Sequence, residues 1–162
     1  MTKDGLRVDQ DINNIPTIAS RKKSSTDPNP PSIDDNPKDA GGNAIEAPFI
    51  FKHTNGYYYL FVSIDYCCKG VNSTYKIIVG RSKKVKGPYL DDQGADLANA
   101  GGKLVLKGND NWHGVGHNAV VRDGKQDYLI FHGYDANDAG KSKLLLEKIT
   151  WDKDGWPNVT FN

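Results

Sequence analysis

Residues 46–66 read EAPFIFKHTNGYYYLFVSIDY, and residues 117–135 read HNAVVRDGKQDYLIFHGYD. In both stretches an apolar strand leads into a turn containing Gly, and an aromatic-rich strand follows and ends near an Asp. Tyr59-Leu60-Phe61 falls on Tyr128-Leu129-Ile130, so the two stretches are copies of one unit. Thr74 to Ser82 and Ser142 to Thr150 come next in the same order, as third strands. Asn55-Gly56 marks the first hairpin, because a tight turn between twisted strands needs the left-handed backbone that those residues accept. Four antiparallel strands per unit, repeated at this spacing, predict the blades of a β-propeller. The predicted fold is all-β: about two four-stranded blades and a leading strand, short of the roughly 4 to 8 blades that close a propeller.

Before the first unit, residues 21–43 read RKKSSTDPNPPSIDDNPKDAGGN, crowded with Ser, Asp, Asn, Pro and Gly and nearly without large apolar side chains. Such a composition predicts a long flexible loop, open to proteolytic nicking. Residues 1–20 are expected to supply the final strand of a preceding blade, between Gly5 and Ser20. The two blades are assigned to residues 44–110 and 111–162, the first with a short fourth strand near Pro88 to Leu90.

The 162 residues carry 21 Lys and Arg against 20 Asp and Glu, a balance that leaves no electrostatic footprint for nucleic acid or an anionic membrane. Apolar runs such as Tyr58 to Val62 fall far short of the ~20 residues that a membrane-spanning helix requires. Cys67 and Cys68 are the only cysteines. Adjacent residues close no long loop, so a disulfide framework is excluded. The simpler reading is two thiols lining a packed or substrate-facing loop, and the alternative is a vicinal disulfide.

In a blade the first strand runs along the central axis, so its start shares a face with the end of the second. Glu46, the 63–74 connection, His117 and the 132–141 connection therefore belong on one face, with Glu46 and His117 at equivalent positions of the central funnel. Glu46 stands in apolar company, and partial desolvation there would favour the protonated form that a general acid needs. Asp65 and Tyr66 in the first connection, with His132 and Asp135 in the second, are candidate sugar contacts. Trp151 and Trp156 read as packing residues in an outer turn.

The strings GNAIEAPFIF, YYYLFVSIDYCCKGVNSTYKIIVGRS, GVGHNAVV and ITWDKDGWP, in that order, resemble glycoside hydrolase family 43, and among its members the endo-1,5-α-L-arabinanases. The resemblance implies part of a five-bladed propeller that cleaves arabinan or arabino-oligosaccharide with inversion. It makes Glu46 the general acid and sets His117 beside a largely water-coordinated calcium ion. The two catalytic aspartates of that family lie in motifs that do not occur here. Inversion needs two carboxyl groups roughly 6.5 to 9.5 Å apart, so a second chain carrying the N-terminal blades is the expected partner. An exo-acting arabinofuranosidase or xylosidase of the same family, or a non-catalytic carbohydrate-binding propeller, are the competing readings. A secreted or extracellular protein is expected; no basic and apolar leader opens this sequence, which says nothing about export.

Overall fold

The structure, a computed structural model, describes residues 2–4, 6–9, 11–21 and 44–161. Two four-stranded antiparallel sheets form the framework. The first runs in chain order through β1 (Ile45–Lys52), β2 (Tyr58–Ile64), β3 (Lys76–Ser82) and β4 (Lys103–Lys107). The second repeats the meander with β5 (Trp112–Asp123), β6 (Gln126–Asp135), β7 (Lys141–Trp151) and β8 (Pro157–Val159).

One core lies between the sheets, where Tyr59, Phe61, Ile77 and Val79 of the first meet Val115, Val120, Leu129 and Phe131 of the second. Burial of side chains this size contributes about 1.5–3 kcal/mol each. A smaller core covers the far face of the first sheet, where Leu60, Val62 and Ile78 receive Tyr89 and Leu97 from the β3–β4 connection, and Ile18 and Ala19 from upstream. Both faces of β2 and β3 are consequently shut from water. Among the described residues nothing gives the far face of the second sheet such a cover: Leu144 is 79% exposed and Leu146 56%.

Each inner strand carries a bulge near its start, between Glu46 and Phe49 in β1 and between Gly116 and Ala119 in β5. The residue inside each bulge is left-handed, Ala47 at φ 50° and His117 at φ 54°. This corrects the expected equivalence by one residue. Glu46 pairs with Ser63 just before its bulge, and Gly116 pairs with His132 just before the other, so His117 corresponds to Ala47 and Glu46 to Gly116. A bulge adds one residue to one strand and is invisible to an alternation pattern.

Two other expectations change. Residues before 22 form no strand among those described; they hold a single 3-10 turn, Ile12–Asn14, and then a run without regular structure. Ser20 ties that run to the first sheet, donating to Leu97 O at 2.7 Å and accepting from Ala100 N at 3.1 Å. The fourth strand of the first sheet is Lys103–Lys107, not the segment near Leu90. Tyr89 is fully buried in the smaller core, and Leu90 makes only isolated bridges to Arg81 and Asp96. The long loop assigned to 21–43 lies, except for Arg21, outside the described residues.

Candidate active site

At the funnel end of the two inner strands, Glu46 Oε1 accepts a hydrogen bond of 2.5 Å from the Tyr75 hydroxyl. Tyr75 precedes β3 and is 1% exposed. Burial pushes its phenol well above the ordinary value, the hydrogen bond to Glu46 adds to this, and contacts with the Ser63 hydroxyl and the His117 backbone pull the other way. Tyr75 is therefore a permanent donor at neutral pH, and it fixes one oxygen of Glu46. The ring fits because residue 116 is glycine: a β carbon there would stand 2.2 Å from two ring atoms of Tyr75. Glu46 itself is exposed, which corrects the desolvated setting expected from its apolar neighbours. One side of it borders an apolar hollow of about 300 Å³ formed with Ile18, Ile45, Pro48 and Val62.

Ser63 links the strands. Its hydroxyl donates to Asn118 Oδ1 at 2.8 Å and accepts from the His117 backbone N–H at 2.8 Å. That second bond holds the left-handed His117, a conformation costing on the order of 1 kcal/mol for a residue with a β carbon. The exposed His117 ring stacks with His132 at 6.2 Å between centroids. His132 lies within β6 rather than in the connection after it, 5.7 Å from Tyr75 and edge-on to Tyr134 at 5.2 Å. Burial and the nearby His117 lower its pKa, and Glu46 raises it less, so His132 is neutral near pH 7. Among the described residues, His132 Nε2 and Asn118 Nδ2 are buried without a hydrogen-bond partner.

The other candidates are placed differently. Asp65 is buried beneath the loop at φ 66°, 3.3 Å from Arg21 Nη2 and 3.4 Å from Lys76 Nζ. Tyr66 is half-buried, with Lys69 Nζ 4.3 Å from its ring centre. Asp135 caps the turn Ala136–Asp138 through the Asn137 N–H at 2.8 Å and pairs with Lys143 at 2.7 Å. The Lys143 hydrogen bond, chiefly, holds its carboxyl below the usual range. Cys67 and Cys68 are joined in a disulfide, so the two-thiol reading gives way to its alternative.

Sequence reading missed Ser63, Tyr75, Gly116 and Asn118. No local signal marks them, because each acts on a residue across the sheet or in the other sheet.

Calcium favours six to eight oxygen ligands. Among the described residues no three of His, Cys, Asp and Glu converge. Near His117 the described residues offer the ion one exposed imidazole, so they do not by themselves form a calcium site.

Paired four-stranded meanders that repeat one unit and share a core are adjacent blades of a β-propeller. The model for glycosyl hydrolases family 43 matches residues 7–157, and the chain belongs to that family. It is 51% identical over 121 residues to the extracellular exo-α-(1→5)-L-arabinofuranosidase ArbA of Cellvibrio japonicus, covering 74% of this chain and 34% of the relative. It is 50% identical over 117 residues to the extracellular endo-α-(1→5)-L-arabinanase 1 of Bacillus subtilis, covering 72% and 35%. An exo-1,5-α-L-arabinanase from a bovine ruminal metagenomic library superposes with a TM-score of 0.76 at 44% identity, over 90% of this chain and 43% of that one. The two sheets are blades of the five-bladed fold of these arabinanases. The chain spans about a third of the length of the curated relatives it matches.

Proposed function

We propose that this chain carries the general acid of an inverting hydrolase of α-1,5-linked L-arabinan. The observation that carries the reading is the exposed Glu46 held at one oxygen by Tyr75, inside the family's motif. In the reaction Glu46 gives its proton to the departing glycosidic oxygen as the bond to the anomeric carbon breaks. A water attacks that carbon from the opposite side and loses its proton to a second carboxylate. That base would come from polypeptide outside this chain, and the bare face bearing Leu144 and Leu146 is where further blades would dock.

Replacing Glu46 with Gln in the assembled enzyme should keep oligosaccharide binding and cut turnover by about 10² to 10⁴. Activated aryl arabinosides, whose leaving groups need no proton, should lose far less. Equal losses on both substrates would sink the acid role, and binding without any turnover in the wild type would make the chain a carbohydrate-binding module. Exo action is the second reading, supported by the exo-acting names of two similar proteins. Product analysis, arabinose alone against a ladder of oligosaccharides, separates the two.

Among the described residues a calcium ion near His117 would find only that imidazole, with water supplying most of its other ligands, and no step above runs through it. If such an ion supports the site, chelation should depress turnover of the assembled enzyme and calcium should restore it, with His117→Ala already insensitive. Full activity in excess chelator would dismiss the ion. An extracellular location is supported by the names of the relatives and by the Cys67–Cys68 bond, since disulfides persist in oxidising surroundings.

A further inference from the structure

The Cys67–Cys68 disulfide lies in the β2–β3 connection, on the face that holds Glu46. Three residues of this loop are left-handed: Asp65 at φ 66°, Cys68 at φ 69° and Gly70 at φ 53°. Only glycine adopts that backbone without cost, so Cys68 needs something to hold it there. The loop is tied at its base, where Thr74 N donates to Tyr66 O at 2.9 Å, and again where Lys69 N donates to Ser73 Oγ at 3.0 Å. Its tip reaches the other sheet: the Cys68 N–H donates to the Tyr134 hydroxyl at 2.8 Å. Tyr134, 7% exposed, meets His132 edge-on, and His132 flanks Tyr75, the donor to Glu46. The sulfur–sulfur bond therefore stands at one end of a continuous series of contacts that ends on the acid.

We propose that the Cys67–Cys68 bond is a reducible clamp that positions Tyr134, and through it the His132–Tyr75 wall of the acid site. Cys68 is exposed and Cys67 half-buried, within reach of a small dithiol. A thiolate of the dithiol attacks one sulfur and breaks the S–S bond to give a mixed disulfide. Its second thiol then displaces the cysteine. Two electrons and two protons pass to the protein, Cys67 and Cys68 become thiols, and the dithiol leaves as its own cyclic disulfide. With the ring of adjacent residues opened, Cys68 is released from its left-handed backbone, and its N–H turns away from Tyr134. Cys67, Cys68 and Tyr134 are positioning residues in this scheme. The effect on turnover rests on the arabinan-hydrolase reading; the loop movement does not.

The first experiment uses this chain alone. Native treatment with dithiothreitol followed by iodoacetamide should label both cysteines. The Cys68 amide and His132 ring resonances should move, while Trp156, at the other end of the inter-sheet core, stays in place and the melting temperature barely changes. Reoxidation should restore the spectrum. A double variant, Cys67→Ala with Cys68→Ala, should give the reduced spectrum and ignore the reductant. A bond that resists native reduction, or one that is reduced without moving His132, overturns the clamp. In the assembled enzyme, reduction should lower kcat/KM for arabino-oligosaccharide by about tenfold, the scale of a small misplacement at a reacting group, and reoxidation should recover it. Turnover that is present and indifferent to reduction, while the His132 resonances shift, breaks the link to the acid and also overturns the proposal. Absence of turnover even when oxidised, with the resonance shifts intact, removes the hydrolase reading and leaves the clamp standing.

Discussion

The interface between the two sheets is finished differently at its two ends. Away from Glu46, the buried Asp127 accepts from Arg122 Nε at 2.6 Å, Arg122 Nη2 at 2.7 Å and Trp151 Nε1 at 2.9 Å, with His53 Nε2 3.6 Å off. The His53 ring lies 4.1 Å from Trp151, so the first hairpin is locked to the third strand of the other sheet. At the funnel end, Asn118 Nδ2 and His132 Nε2 are buried with no partner among the described residues. Leaving such an atom unsatisfied costs about 1–3 kcal/mol. One end is a closed polar network that serves the fold. The other keeps polar atoms that no described residue satisfies, which is where chemistry or a further subunit belongs.

The contrast predicts a double dissociation. Glu46→Gln should remove about 10² to 10⁴ of turnover and leave the melting curve nearly unchanged. Asp127→Asn should destabilise the chain by about 2 kcal/mol, the scale of hydrogen bonds to a charged group, and leave turnover of the assembled enzyme alone. A large stability loss in the first variant, or a turnover loss in the second, would erase the distinction between the ends. The pH dependence sharpens it. Burial pushes the Asp127 carboxyl up, but hydrogen bonds from Arg122 and Trp151 and the charges of Arg122 and His53 win, leaving it below its ordinary value. A depressed folded-state value means that the stabilisation is whole above the unfolded value of about 3.9 and is lost as pH falls through the folded one. The stability gap between wild type and Asp127→Asn should therefore be widest at neutral pH and close below about pH 4, as read by urea titration.

A smaller effect is expected at Tyr75. Its hydroxyl serves the funnel end, while its ring is part of the packing beneath Gly116. Tyr75→Phe keeps the ring, so stability should fall by only about 1 kcal/mol. Turnover should fall about tenfold through kcat, with KM little moved, because Glu46 loses the donor that orients it. A rise in KM with kcat intact would instead place Tyr75 in substrate binding.

What the sequence showed of this arrangement was set by how local each signal is. The hairpins were legible, because Asn55-Gly56 and Gly124 sit between alternating strands that pair as the repeat predicts. Glu46 was legible through a contiguous motif. The one-residue offset between Glu46 and His117 was not, since a bulge leaves composition untouched. β4 was missed because Tyr89, the apolar residue nearest the expected strand, leaves the ladder for the smaller core, and the chain returns to pair with β3 only at Lys103. The burial of Asp65 was illegible for a third reason: one of its partners is Arg21, 44 residues away and beyond the described gap.

The smallest expected effect concerns the face that neither end closes. Leu144, at 79% exposure, loses almost no contact when replaced in this chain, so Leu144→Lys should change its stability by less than about 0.5 kcal/mol. If the face is a docking surface for further blades, the same lysine would be buried in the assembly without a partner, where a charge is far more costly than on a surface. Assembly with the remaining blades, followed by sedimentation, should then fail or weaken by several-fold while the isolated chain melts as before. Unchanged assembly would show that the closing contact lies elsewhere, and the bare far face would then belong with ordinary exposed apolar surface.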